Sequence, residues 1–97
     1  MSEVIINGKP YLVRYGVRFE IDFEETFKTP LRGSALGTRE TIHMYWLALK
    51  NGLKDKKIDI TVENLIDAFD QDETLQKSFE TSLIEWYKIP TETEKKD

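Results

Sequence analysis

Six apolar side chains follow one another without a break in this chain: Met44, Tyr45, Trp46, Leu47, Ala48 and Leu49, between His43 and Lys50. On a helix, successive residues are rotated by about 100°, so six in a row cover every side. A helix that is apolar nearly all round belongs in the middle of a fold. The flanks predict a helix over about 39–51. Thr38 is a fair N-cap, Lys50 lies in the last turn where the dipole favours cations, and Gly52 is placed as the C′ residue. Ile42, Tyr45, Trp46 and Leu49 make one stripe; Met44, Leu47 and Ala48 cover much of the rest. We assign Trp46 and Leu49 to the core. Met44 and Tyr45 are candidates for a face that self-associates or grips another polypeptide, because methionine adapts to varied contacts.

The rest of the chain has to supply partners for that helix. With 97 residues it forms one domain, and a chain of this size buries roughly 60–70% of its unfolded surface. Residues 3–15 read EVIINGKPYLVRY. The Asn7-Gly8 pair between two apolar runs signals a two-residue hairpin, because a type I′ turn needs positive φ at both central positions. Pro10 cannot donate to a ladder and belongs at an edge or in the loop. Two strands alone are marginal, so the hairpin must pack on helices.

Residues 17–28, VRFEIDFEETFK, fit two patterns. Val17, Phe19, Ile21 and Phe23 alternate as in a strand, while Phe19, Phe23 and Phe27 are spaced by four. Only a helix keeps Phe27 on the same face, with Val17 and Ile21 widening it, and helix is our choice; a second strand extended to Phe23 is the rival. In the loop 29–37, Leu31 and Leu36 are expected to tuck back as anchors. A polar loop over 53–60 ends in Ile58 and Ile60. Thr61 then caps a third helix with Val62, Leu65, Ile66 and Phe69 on one face. Asp70 and Asp72 both qualify as caps for the fourth helix, Asp70 with Glu73 three residues on. That helix carries Leu75, Phe79, Leu83 and Trp86 on one stripe and runs to about Ile89, where Pro90 ends it. Trp86 is expected inside and Tyr87 at the rim, where Tyr87 is a candidate partner contact. The expected fold is α+β, mainly α: an N-terminal β-hairpin packed on a bundle of about four helices. It forms one domain over 1–89, with a disordered tail over 90–97.

Composition narrows the function classes. Lys and Arg total 14 against 18 Asp and Glu, a net charge of −4. That balance repels phosphate backbones and lacks the basic stripe of a nucleic-acid binder; the cluster Lys54, Lys56, Lys57 reads as a solvated loop. With no cysteine, disulfides and thiolate metal sites are excluded. No apolar run approaches the roughly 20 residues of a membrane span, and the opening MSEVIINGKP lacks the pattern of a signal peptide. The single histidine, His43, has no spaced partners with Ser34, Ser78 or Ser82 that would make a triad. Asp67, Asp70, Asp72 and Glu73 lack the glycine and terminal glutamate of a calcium loop and sit where acids serve as caps. Glu24 and Glu25 are sequence neighbours and diverge on a helix. The glycines at 33 and 37 do not follow a strand as a phosphate cradle requires. No residue set here supports an enzyme or a cofactor site.

The order of segments does resemble a known family. A strand ending in YLVRYG is followed by the acidic helix FEIDFEETF, the loop TPLRGSALG and the apolar helix IHMYWLALKNGLKD. The segment ITVENLIDAFD and a closing amphipathic helix come last. Over residues 4–88 this arrangement resembles the tail assembly chaperones of long-tailed bacteriophages and related gene-transfer particles. The chain departs from that pattern at Phe23, before the acidic pair, and in carrying three Phe where Leu and Ala are usual. The resemblance implies a non-catalytic protein of the bacterial host cytoplasm. Its partners would be the tape measure protein and the tail tube protein, with a homo-oligomer as a further expectation. It also implies a frameshifted, extended form in many members, for which the Lys95-Lys96 codons are a candidate slip site. The alternative reading is a small helical adaptor or antitoxin-like regulator that sequesters one partner.

Overall fold

The computed structural model describes residues 2–31, 35–53 and 57–95. Strands β1 (Ser2–Ile6) and β2 (Lys9–Val13) pair antiparallel, with Ile6 opposite Lys9 and Ser2 opposite Val13. Between them Asn7 and Gly8 adopt φ of 53° and 80°, the left-handed pair that the turn requires. Four helices follow among the described residues: α1 (Val17–Phe27), α2 (Thr38–Asn51), α3 (Val62–Gln71) and α4 (Glu73–Lys95). The architecture is the expected one, a mainly α member of the α+β class.

Segment 17–27 is helical, not an extension of β2. Phe19 and Phe23 are fully buried and Phe27 half-buried, so the four-residue spacing of large rings outweighed the alternation. Val17 does not join that face; it is 74% exposed, since it opens the first turn at the edge of the packed stripe. The helix stops at Lys28, whose φ of 58° is left-handed and whose N–H bonds the Glu24 carbonyl. Leu31 is buried and Leu36 half-buried, as anchors should be.

Helix α2 is central. It packs against α1, α3 and β2, and Asn51 is the one buried polar side chain among the described residues. The Asn51 amide donates to Asp22 Oδ2 at 2.9 Å and to the Leu47 carbonyl at 2.8 Å, tying α1 to α2. Two details of the helix ends differ from expectation. Gly37, not Thr38, is the N-cap; its N–H donates to Glu40 Oε1 at 2.8 Å. Gly52 has an ordinary φ of −77°. It is needed for closeness: a Cβ there would lie 2.3 Å from the Leu12 carbonyl oxygen. The same helix end receives the hairpin through Arg14 N–H, which donates to the Ala48 carbonyl at 3.1 Å.

Thr61 caps α3 as its sequence indicates. Asn64 N–H donates to Thr61 Oγ1 and Thr61 N–H to Asn64 Oδ1, both at 3.0 Å. Of the two candidate caps for α4, Asp72 takes the role, accepting from Thr74 N–H at 3.0 Å, while Asp70 stays inside α3. Helix α4 packs on α3 and β1, and Leu75 and Phe79 enter the core. Its backbone does not stop at Pro90 but remains helical to Lys95, past the expected end of the helix. The fixed φ of proline is itself helical, at the cost of one intrahelical bond, and Glu92, Glu94 and Lys95 are good helix formers.

Rings from every helix fill the centre. Tyr45 stacks on Phe79 with centroids 4.9 Å apart and on Phe69 at 5.9 Å. Tyr15 meets Phe19 edge-on at 5.0 Å and stacks on Trp86 at 5.9 Å. The Tyr15 hydroxyl donates to the Phe79 carbonyl at 3.2 Å, closing the start of α1 onto α4.

Candidate interaction surface

The structure relocates the surface that the sequence points to. Met44 and Tyr45 do not reach an outward face: they are only 6% and 3% exposed. The reason is the position of α2, covered on three sides by α1, α3 and β2. Burial, with the charge of Glu80 as a lesser cause, pushes the Tyr45 phenol up to about 12. The solvent line of α2 runs instead through Arg39, His43, Trp46 and Lys50. Trp46, expected in the core, is half-buried on that line. Its Nε1–H donates to the Ile60 carbonyl at 2.9 Å, and Lys50 Nζ lies 5.6 Å from its ring centre. His43 sits between Phe27 and Trp46, at 5.4 and 5.8 Å between ring centres. Desolvation, reinforced by the charge of Arg39, lowers its pKa. The Tyr87 side chain lies outside the described residues. Trp86 is half-buried against Tyr15 and Phe19.

Large apolar side chains that do face solvent are Ile5 at 52% exposed, Leu12 at 44%, Ile84 and Val17. Ile5 and Leu12 share one surface because of the register. Ile5 lies directly opposite Pro10, and Leu12, opposite Glu3, is its diagonal neighbour, within reach on the same sheet face. Val4, Ile6 and Val13 point the other way, into the core. The outer face of the hairpin is thus an uncovered row of Ile5, Pro10 and Leu12.

Polar contacts hold the hairpin so that this face stays outward. Lys9 pairs with Asp59, and the Tyr11 hydroxyl donates to Asp59 Oδ1 at 2.9 Å. The hydrogen bond from Lys9 is the largest influence keeping the Asp59 carboxyl below its usual range. The turn end of the sheet is therefore fastened to the segment before α3. Beside β1, on the opposite flank, lies a cleft of about 530 Å3 between that strand and the α3–α4 junction.

Sequence reasoning overlooked Ile5 and Leu12, although a signal existed. Val4-Ile5-Ile6 and Tyr11-Leu12-Val13 are each three apolar residues in a row. A strand with one packed face must turn the middle residue of such a run to solvent.

Among the described residues no group of three or more His, Asp or Glu side chains is placed to hold a metal ion. No helix in the described residues is long and apolar enough to cross a membrane. The fold and its exposed face define a small, mainly helical α+β domain with an uncovered hairpin. Comparison with known protein families, characterised proteins and solved structures gives no match.

Proposed function

We propose that this chain is a tail assembly chaperone, a non-catalytic protein of a bacterial host's cytoplasm. It would shield the tape measure protein and bring tail tube subunits to it. The observation that carries the reading is the outward row Ile5, Pro10 and Leu12 on a hairpin firmly docked to a well-packed helical core. Exposed apolar patches on a small acidic protein fit contact with another polypeptide, and the net charge of −4 keeps a loaded complex soluble. The order of segments, from strand through acidic helix to apolar central helix, is the second support.

Co-expression with a tape measure fragment tests it. The chain should raise the soluble fraction of that fragment, and an Ile5→Ser/Leu12→Ser variant with unchanged circular dichroism should lose most of the effect. No rescue by the unaltered chain counts against the chaperone role. Full rescue by the double variant removes the hairpin face from it.

A further inference from the structure

The two edges of the hairpin are not equivalent. In an antiparallel ladder, alternate residues turn N–H and C=O toward the partner strand and the others turn them outward. Ile6 and Lys9 flank the two-residue turn and are partners across the ladder, and a turn of this length closes on a hydrogen-bonded pair. Glu3 and Ile5 on β1, and Pro10 and Leu12 on β2, therefore present their backbone groups to the two edges.

The edge of β2 is closed. Pro10 has no N–H to offer, and the Leu12 carbonyl lies against Gly52, so close that no side chain fits between them. The edge of β1 opens onto the cleft of about 530 Å3. Glu3 and Ile5 form one wall; Asp72, Thr74 and Ser78, at the start of α4, form the other. Among the described residues no hydrogen bond reaches the outward backbone groups of Glu3 or Ile5. Such an edge is a template for another strand, and a groove between an edge strand and a helix suits strand addition by an extended peptide.

We propose that the β1 edge takes up an extended, Lys- or Arg-bearing segment of another polypeptide as a third strand. The occupant follows from charge. Among the described residues, Glu3 and Asp72 are the charged ones lining the cleft, and both are acidic. In the antiparallel register of greatest overlap, a second copy of β1 would set Glu3 opposite Ile5 and diagonal to the other Glu3, within a pair of chains each carrying −4; that brings two acids together with no cation to meet them. A basic segment meets complementary walls. The inference rests on sheet geometry and stands whether or not the chain acts in tail assembly.

The test uses the intact chain and three fluorescein-labelled hexapeptides with blocked ends. One alternates Lys and Val, one alternates Glu and Val, and the third is the Lys–Val peptide methylated at every backbone amide. In anisotropy titrations at low salt, the Lys–Val peptide should bind saturably and the other two should not. Amide exchange at Glu3 and Ile5 should slow by about tenfold or more when it binds. Glu3→Gln/Asp72→Asn should weaken binding by roughly fivefold with the fold unchanged, since asparagine preserves the cap. Three outcomes overturn the proposal: no saturable binding, equal binding of the methylated peptide, or unchanged exchange at Glu3 and Ile5. Sedimentation as a dimer whose Glu3 and Ile5 amides are already protected also overturns it, by assigning the edge to a second copy.

Discussion

At the scale of single residues, Tyr45 and Trp46 exchange the roles that their neighbourhood in sequence implies. Tyr45 is enclosed between Phe69 and Phe79, while Trp46 keeps one side to solvent. Tyr45→Ala should therefore cost roughly 3–5 kcal/mol, as large buried aromatics do. Trp46→Ala should cost clearly less, and urea denaturation of the two variants checks the order. The polar residues of α2 carried this information: Arg39, His43 and Lys50 recur at helical spacing and mark the solvent line on which Trp46 falls. His43 makes stability pH-dependent with a definite sign. Its pKa is lowered in the fold from 6.5, so the unfolded chain takes up a proton more readily than the native one. The contribution is nil above about pH 6.5 and becomes increasingly unfavourable as the pH falls below it. His43→Gln should flatten that part of the stability profile, measured by denaturation at pH 7.5 and 5.5 against the unaltered chain. An unchanged slope would mean that other groups account for it.

Among elements, the junction of α2 with β2 is the tightest. The φ of Gly52 suits any residue, and alanine favours helices over glycine by about 1 kcal/mol. Local preference alone would make Gly52→Ala stabilising. Because the added Cβ would meet the Leu12 backbone, the substitution should instead destabilise by roughly 1–3 kcal/mol. Thermal unfolding decides between the two signs. The hairpin was legible because Asn7-Gly8 specifies its turn and thereby its register. α1 was legible only through Phe27, the one ring that a strand would have misplaced. The end of α4 was not: Pro90 is a local signal, and the backbone continues past it.

For the whole molecule, one core runs from the inner hairpin face through α2 to α4. Val4, Phe23, Leu49, Leu65 and Phe79 all belong to it, and no described buried side-chain polar atom lacks a partner. Unfolding should therefore be a single cooperative event. Far-ultraviolet circular dichroism and tryptophan fluorescence should give coincident transitions in urea. Separate midpoints would show the hairpin parting from the helices.

The sequence by itself determined the elements: the turn at Asn7-Gly8, the cap at Thr61, the helical spacing of rings in α1 and α4, and the central place of α2. These depend on backbone preferences and periodicity within a few residues, which one chain carries in full. Only the tertiary structure decided which apolar residues were left over. Exposure depends on which neighbours cover a face, and three elements close over Met44 and Tyr45 while no described element covers the side chains of Ile5 and Leu12, which stay 52% and 44% exposed. It also decided which hairpin edge stays open, because Gly52 and Leu12 are forty residues apart in the chain and meet only when α2 docks against β2.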